Sequence, residues 1–236
     1  MKKYFLLVFL ILTMSIFITS CKGQEYNNGI FNLQKLSFDL NADKFYSNAM
    51  KRENIKFSSD KQYVEKDTIK EYDIDWKGDK NKIFGIQYNV TKYSPKQDTV
   101  AQYKEFLFSR LESMTTENGE LMLINAVAKS DNNTINKLIT ELNAEFGVEP
   151  VISKSNAGFI HYKVLNWSND KKIVKLVTES ALNFSSPNNV VSEKDKAFIE
   201  KVEKDKLTES VLFICNPKYE KKLLGKLNSG NWSRFE

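Results

Sequence analysis

The chain has 236 residues, of which 41% are hydrophobic and 28% are charged, and its formal net charge at pH 7 is +5. This composition is typical of a globular protein and excludes collagen-like, low-complexity and intrinsically disordered chains. The two cysteines and the single histidine exclude a disulfide-stapled scaffold, a cysteine-rich zinc module and a multi-histidine metal centre.

The N-terminus has the pattern of an export signal. Two lysines precede an apolar run from Phe5 to Leu12, and the sequence stays mostly apolar up to Ile18, as in a secretory signal peptide. The run is too short and too interrupted for a membrane-spanning helix, which needs about 20 apolar residues. It ends in Ile18-Thr19-Ser20-Cys21, which resembles a bacterial lipobox, with Ile18 in place of the commoner leucine.

The resemblance implies that residues 1–20 are removed and that Cys21 and the new N-terminus are acylated. Two or more acyl chains attach a protein stably to a membrane. Lys22 stands where an aspartate would resemble the inner-membrane retention signal, so the resemblance favours the outer membrane and leaves the leaflet open. The alternative is an ordinary signal peptide that is followed by a cysteine.

Charge argues against a nucleic-acid partner. The signal carries two lysines, so the net charge falls from +5 to +3 in the mature chain, and the exported chain would not meet nucleic acid. The chain has only three arginines, Arg52, Arg110 and Arg234. Arginine clamps for phosphate or carboxylate groups are therefore largely excluded.

The first predicted elements follow a lipidated tether at residues 21–29. Residues 31–38 partly alternate between apolar and polar side chains, which predicts a strand. Residues 41–54 are expected to form a helix with Asn41 as its N-cap. The alternation of residues 71–77 predicts a second strand, which a turn at 78–81 connects to a return strand at 82–93.

The next segment, residues 97–115, has the spacing of an amphipathic helix. Its apolar residues recur at steps of three and four: Val100, Tyr103, Leu107, Leu111 and Met114. This spacing predicts a helix that begins at Asp98 or Thr99 and ends at Asn118-Gly119.

A similar order then begins again. Residues 121–128 predict a strand, and residues 132–146 predict a helix with Gly147 as its C-cap. An edge strand is expected from Pro150 to Ser153, followed by a hairpin with strands at 158–167 and 172–178.

The last part of the chain contains one predicted central strand. Residues 183–192 predict a loop, and Ser192 to Lys206 a charged helix. The continuous apolar run at 209–215 predicts a strand inside the sheet. Pro217 is expected to open a helix that ends near Leu227, and residues 229–236 to form a tail.

Together these elements predict a single α+β domain over residues 30–228, with a mainly antiparallel sheet and helices packed on it. The two hairpins share Trp, Asp and Lys at similar spacing, which suggests two strand–helix–strand–strand repeats. If they are equivalent, Trp76 and Trp167 pack on one side of the sheet against the two helices. The alternative is that either indole is exposed as a ligand surface.

Few residues offer chemistry. Cys215 lies in an apolar run and is expected to be a core residue. His161 is a candidate general base, but no local nucleophile motif accompanies it. Glu71, Asp73 and Asp75 could bind a hard cation, although a solvated strand face explains them more simply. We therefore predict no metal and no cofactor.

Two short motifs are similar to the Asp-Thr-aliphatic acceptor of periplasmic O-glycosylation in Bacteroidota. They are Asp67-Thr68-Ile69 and Asp98-Thr99-Val100, and the resemblance implies glycosylation at Thr68 and Thr99.

The sequence thus favours a lipoprotein of the cell envelope that acts as a non-catalytic binding module. Its expected partners are the membrane, through the N-terminal lipid, and a protein or a glycan. An immunity-type inhibitor of a toxin is one concrete form. The competing hypothesis is a periplasmic hydrolase with a site assembled around His161 from distant residues.

Overall fold

The computed structural model describes residues 30–50, 63–91, 99–157, 160–182, 207–228 and 230–235. In these ranges an eight-stranded sheet carries two helices and a small sheet on one face, and the C-terminal segment on the other. The prediction of an α+β fold with a mainly antiparallel sheet is confirmed.

Within the described ranges the strands are β1 Phe31–Asn32, β2 Tyr63–Lys70, β3 Ile83–Thr91, β4 Ala101–Tyr103, β5 Phe106–Phe108, β6 Arg110–Thr115, β7 Leu121–Ser130, β8 Val151–Ala157, β9 Ile160–Ser168, β10 Ile173–Leu182 and β11 Thr208–Cys215. The α-helices are α1 Ala42–Met50, α2 Glu71–Ile74, α3 Asn132–Phe146 and α4 Glu220–Leu223, and 3-10 turns occupy Leu33–Lys35, Pro217–Tyr219 and Gly230–Phe235.

The order of the large sheet is mirrored about its centre. It runs β2-β3-β6-β7-β11-β10-β9-β8, with every neighbouring pair antiparallel. One half is α1 followed by β2, β3, β6 and β7, and the other is α3 followed by β8 to β11. The halves meet at the β7–β11 pair, so the fold has an approximate twofold topology.

The repeat in the sheet differs from the one predicted from the hairpins. Residues 71–82 connect the first two strands of one half, whereas residues 169–172 connect the second and third strands of the other. The two segments are therefore not equivalent. The edge strand β2, which the sequence analysis did not predict, supplies the missing first strand.

Several elements form as predicted because their local signals agree with their packing. Asp131 caps α3 by accepting a hydrogen bond from the Thr134 amide, and Gly147 ends it at a φ of 67°. Ile135, Leu138 and Leu142 form the buried stripe of α3. Strand β11 lies inside the sheet between β7 and β10, as its apolar run predicted.

The predicted helix at residues 97–115 is wrong, because residues 101–115 form β4, β5 and β6 with the turns between them. The apolar residues of this segment also include a set with a period of two, in addition to the set at steps of three and four from which the helix is predicted. Phe106 and Phe108 are buried while Leu107 between them is 49% exposed. Aromatic residues favour strands, and packing on the helix-bearing face decides between the two periods.

Three more predictions need correction. Residues 71–77 do not form a strand, because Glu71–Ile74 is a short helix and a turn follows it. Only Phe31–Asn32 of the strand predicted at 31–38 forms, since the Asn32 side chain accepts hydrogen bonds from two following amides and starts a 3-10 turn. The helix expected from Pro217 ends at Leu223.

The core lies on both faces of the large sheet. On one face α1, α3 and the small sheet β1-β4-β5 cover apolar side chains that include Trp167. On the other face, Trp232 and Phe235 of the last 3-10 turn pack with Phe213 and Cys215 of β11. The loop predicted at 183–192, the helix predicted at 192–206 and Cys21 lie outside the described residues.

Candidate functional site

The candidate site consists of residues 71–82, which connect β2 to β3, and of Ile83, the first residue of β3; we call residues 71–83 the aromatic loop. Strand β2 is an edge of the large sheet, so the loop leaves the sheet at a corner. It contains the short helix α2 and the turn that follows.

The aromatic loop carries three large apolar side chains that face solvent. Trp76 is 70% exposed, Tyr72 is 44% exposed and Ile83 is 39% exposed. Lysines accompany both rings, because Lys77 Nζ lies 5.0 Å from the centre of the Trp76 ring and Lys80 Nζ lies 4.8 Å from that of Tyr72. A tryptophan is rarely this exposed in a folded domain, so the arrangement requires an explanation.

Backbone and side-chain hydrogen bonds hold the aromatic loop in one conformation. Asp73 accepts a hydrogen bond of 2.8 Å from the Lys70 amide, and the Asp75 amide donates 2.9 Å to the Glu71 carbonyl. The Gly78 amide donates 2.7 Å to the Asp75 carbonyl. A Cβ at Gly78 would lie 2.6 Å from the Glu71 carbonyl carbon, so the close turn requires glycine.

Two further contacts attach the loop to the body of the protein. Ile74 is 3% exposed and packs in the core on the face that carries the C-terminal segment. Its carbonyl accepts a hydrogen bond of 2.7 Å from the Asn228 amide. Glu71 forms an ion pair of 2.6 Å with Lys82. The hydrogen bond from Lys82 lowers the pKa of Glu71 and raises that of Lys82.

The carboxylates of the loop serve its turns. Asp75 accepts a hydrogen bond from the Lys77 amide and Asp79 accepts one from the Asn81 amide. In the described part of the chain no three His, Cys, Asp or Glu side chains form a group that could hold a metal ion. Of the three carboxylates of the candidate cation face, Asp73 and Asp75 accept hydrogen bonds from backbone amides, and Glu71 forms the ion pair with Lys82.

A small groove adjoins the aromatic loop. It has a volume of about 310 Å³, and its lining includes Thr68, Asp73, Ile74, Gln87 and Trp232. Thr68 is exposed on β2. Thr99, the second candidate for glycosylation, is partly buried just before β4.

The two tryptophans that the sequence analysis paired have opposite environments. Trp167 is 1% exposed, and its indole N–H donates a hydrogen bond of 2.9 Å to the Asn143 side chain on α3. Trp76 is exposed on the segment between β2 and β3, whereas Trp167 is buried near the end of β9, so the prediction that both indoles pack on one side of the sheet is wrong. Of the two indoles, only that of Trp76 is exposed.

His161 and Cys215 lie on β9 and β11, in the other half of the large sheet from β2 and β3. His161 is partly buried on β9, opposite Asn156 of β8 and Ala181 of β10. Cys215 is fully buried, which confirms the expected core role, and burial raises the pKa of its thiol to about 12.

Two larger grooves lie elsewhere. One of about 870 Å³ separates α3 from the β4–β5 turn, and the Lys104–Glu141 ion pair crosses it. The other, of about 540 Å³, lies where Glu120, Lys171 and Lys218 meet. Neither His161 nor Trp76 lines any of the three grooves.

The sequence analysis placed Tyr72 and Trp76 on a strand and so missed their loop. The segment is rich in turn-forming residues, namely Asp73, Asp75, Gly78 and Asp79. This composition is the signal for a loop, and it competes with the alternation of the aromatic residues.

Comparisons with protein-family models, with curated proteins and with solved structures find no match. Among the helices of the described ranges, none has the length and apolar character that a membrane span requires.

Proposed function

We propose that this protein is a lipid-anchored lipoprotein of the cell envelope that binds a partner through the aromatic loop and catalyses no reaction. The observation that carries the proposal is the 70% exposure of Trp76 on a loop that hydrogen bonds and an ion pair hold in place. Tryptophan and tyrosine dominate the energetics of protein interfaces. A loop whose backbone is already held in place loses less conformational entropy when it binds.

A protein partner fits this surface better than a small ligand. Small molecules bind mostly in concave pockets, whereas Trp76 lines none of the three grooves. Lys77 and Lys80 border the rings, and an apolar centre with a polar rim is the usual anatomy of a protein interface. An inhibitor that captures a toxin arriving in the envelope would need such a surface.

The location in the envelope rests on the first 21 residues. The apolar run and the lipobox-like sequence that ends at Cys21 support export and acylation, and Lys22 supports the outer membrane. The exposure of Thr68 on β2 supports it as an acceptor for glycosylation. The Thr68→Ala variant would then lose the mass of the glycan, which intact-protein mass spectrometry measures.

Site-specific photo-crosslinking in living cells tests the binding function. A photo-reactive amino acid at position 76 is expected to give a discrete adduct with a protein. The same amino acid at position 107 is the control, because Leu107 is also an exposed apolar residue but lies on β5. Digestion with a protease or a glycosidase distinguishes a protein partner from a glycan.

The proposal fails if position 76 gives no adduct, or if positions 76 and 107 give the same adducts. If a glycosidase removes the adduct, the partner is a glycan, and the proposal of a protein partner gives way to that of a sugar stacked on the indole.

A further inference from the structure

The second exposed apolar cluster of the described chain lies at the other edge of the large sheet. Val148 is 55% exposed, Val151 is 72% exposed and Ile152 is 57% exposed. The last two begin β8, and the side chains from Val151 to Ser155 all face solvent. Of the strands that the structure describes, only β9 pairs with β8, so within the described ranges no strand pairs with its outer edge.

The two edge strands of the sheet, β2 and β8, differ in how well charged side chains protect them against pairing with another chain. Strand β2 has four charged residues among its eight, and Lys66 forms an ion pair with Asp43 of α1. Strand β8 has one charged residue, Lys154, among its seven. Charged side chains are a common defence of sheet edges against pairing with another chain, so β8 is the edge that can accept a further strand.

We propose that β8 pairs antiparallel with β8 of a second copy of this chain, with the twofold axis at Ser153. This inference is independent of the proposed function. Pro150 directly precedes β8 and lacks an amide donor, so it sets one limit of the paired segment. A pairing that is symmetric about Ser153 then extends over residues 151–155.

The sequence of β8 is complementary to itself in this register. Ser153 lies opposite its own copy, Ile152 lies opposite Lys154 of the second copy, and Val151 lies opposite Ser155. The single charge therefore does not meet a like charge, and the aliphatic part of each lysine covers an isoleucine. A register centred on Lys154 would place two ammonium groups opposite each other.

The pairing would bury apolar surface on both faces of the sheet. Ile152 is in register with Leu165 and Val151 with Asn166. Because successive side chains of a strand point to opposite faces, Ile152 extends the face that carries α1 and α3, and Val151 extends the other. Both side chains would gain neighbours from the second copy.

Disulfide trapping in cells that make the full chain tests this pairing. Residues directly opposite each other in an antiparallel pair have Cα atoms roughly 4.5–5.5 Å apart, which a disulfide can bridge. The Ser153→Cys variant is expected to give a covalent dimer after mild oxidation. The matched control is Ser155→Cys, whose two thiols would lie four residues apart along the strands, roughly 13 Å.

We expect Ser153→Cys to form the dimer at least tenfold faster than Ser155→Cys. The unmodified chain reports the background from Cys21, while Cys215 is buried. Equal rates at the two positions, or an adduct of Ser153→Cys with a different protein, would overturn the proposal.

Sedimentation of the full chain in detergent gives an independent measurement. The expected result is a dimer that Ile152→Lys converts to a monomer and that Leu107→Lys leaves intact, because Leu107 is exposed on β5. A monomer at every concentration tested, together with no trapping at position 153, would exclude the pairing.

Discussion

The indole N–H of Trp167 donates a hydrogen bond of 2.9 Å to the side-chain oxygen of Asn143, which joins the end of β9 to the last turn of α3. The Asn143 side-chain amide in turn donates 2.7 Å to Glu149. A buried indole needs a partner for its N–H group, and here the partner also fixes the position of a helix on the sheet. Trp167 is therefore a structural residue, in contrast to Trp76.

We predict that Trp167→Ala lowers the free energy of unfolding by about 3–5 kcal/mol, because it leaves a large cavity beneath α3. Trp76→Ala should change the free energy of unfolding by less than about 0.5 kcal/mol, as is usual for surface substitutions. Urea unfolding followed by circular dichroism measures both. A loss of stability in Trp76→Ala similar to that in Trp167→Ala would contradict the exposed position of Trp76.

Glu145 connects three other elements near the same end of α3. It accepts hydrogen bonds from Tyr103 Oη at 2.5 Å and from Gln34 Nε2 at 3.2 Å, and it forms an ion pair with Lys172. Burial raises the pKa of Glu145, but the hydrogen bonds from Lys172 and Tyr103 outweigh burial and keep the pKa below its usual value of 4.5. Burial and the Glu145 contact raise the pKa of Tyr103.

The second prediction follows from the lowered pKa of Glu145. A carboxyl group with a lower pKa in the folded state stabilises the fold at pH values above its unfolded pKa. This stabilisation is lost as the pH falls from about 4.5 through the folded pKa. Glu145→Gln should thus cost about 1–2 kcal/mol at pH 7 and progressively less below pH 4.5.

Unfolding free energies measured between pH 3 and pH 7 test this dependence. Glu105→Gln is the control, because Glu105 is exposed on the β4–β5 turn and its loss should have little effect at any pH. A cost of Glu145→Gln that stays constant across this range would show that the carboxylate charge is not involved.

How far the sequence predicts this fold depends on whether local and tertiary signals agree. They agree at α3, where Asp131, the buried stripe and Gly147 all indicate the same helix. They disagree at residues 97–115, where Leu107 belongs to a set of apolar residues with a helical period, whereas its neighbours Phe106 and Phe108 follow an alternating period. No local signal can decide such a case, because the decision comes from packing against α1, α3 and the sheet.

The candidate site was predictable in part. The sequence identifies Trp76 from its position beside a turn. The expectation that its indole is buried depends on a repeat of two hairpins, and these hairpins are not equivalent in the structure. The edge strand β2 lacks a clear apolar alternation, because the exposed Lys66 and Thr68 follow the buried Val64 at steps of two. Without β2, the alternation assigns the strand to residues 71–77.

The third prediction concerns the thiol of Cys215. The side chain is fully buried, and burial raises its pKa to about 12, so the thiol stays protonated and inaccessible at pH 8. In a Cys21→Ser background, a disulfide reagent such as dithionitrobenzoate should react only after denaturant is added. Cys215→Ala should cost roughly 1 kcal/mol through a small cavity, and rapid reaction of the native protein would contradict burial.

The last prediction concerns Cys21 and the proposed lipid anchor. Cys21→Ser removes the thiol that would accept the acyl chains, and each buried CH₂ of such a chain contributes about 0.8 kcal/mol to membrane binding. The variant should therefore incorporate no labelled palmitate and should move from the membrane to the soluble fraction. Cys215→Ala, which removes the other cysteine, should keep both the label and the membrane attachment. Incorporation of palmitate into Cys21→Ser, or membrane attachment of the unmodified chain without any label, would exclude Cys21 as the anchor.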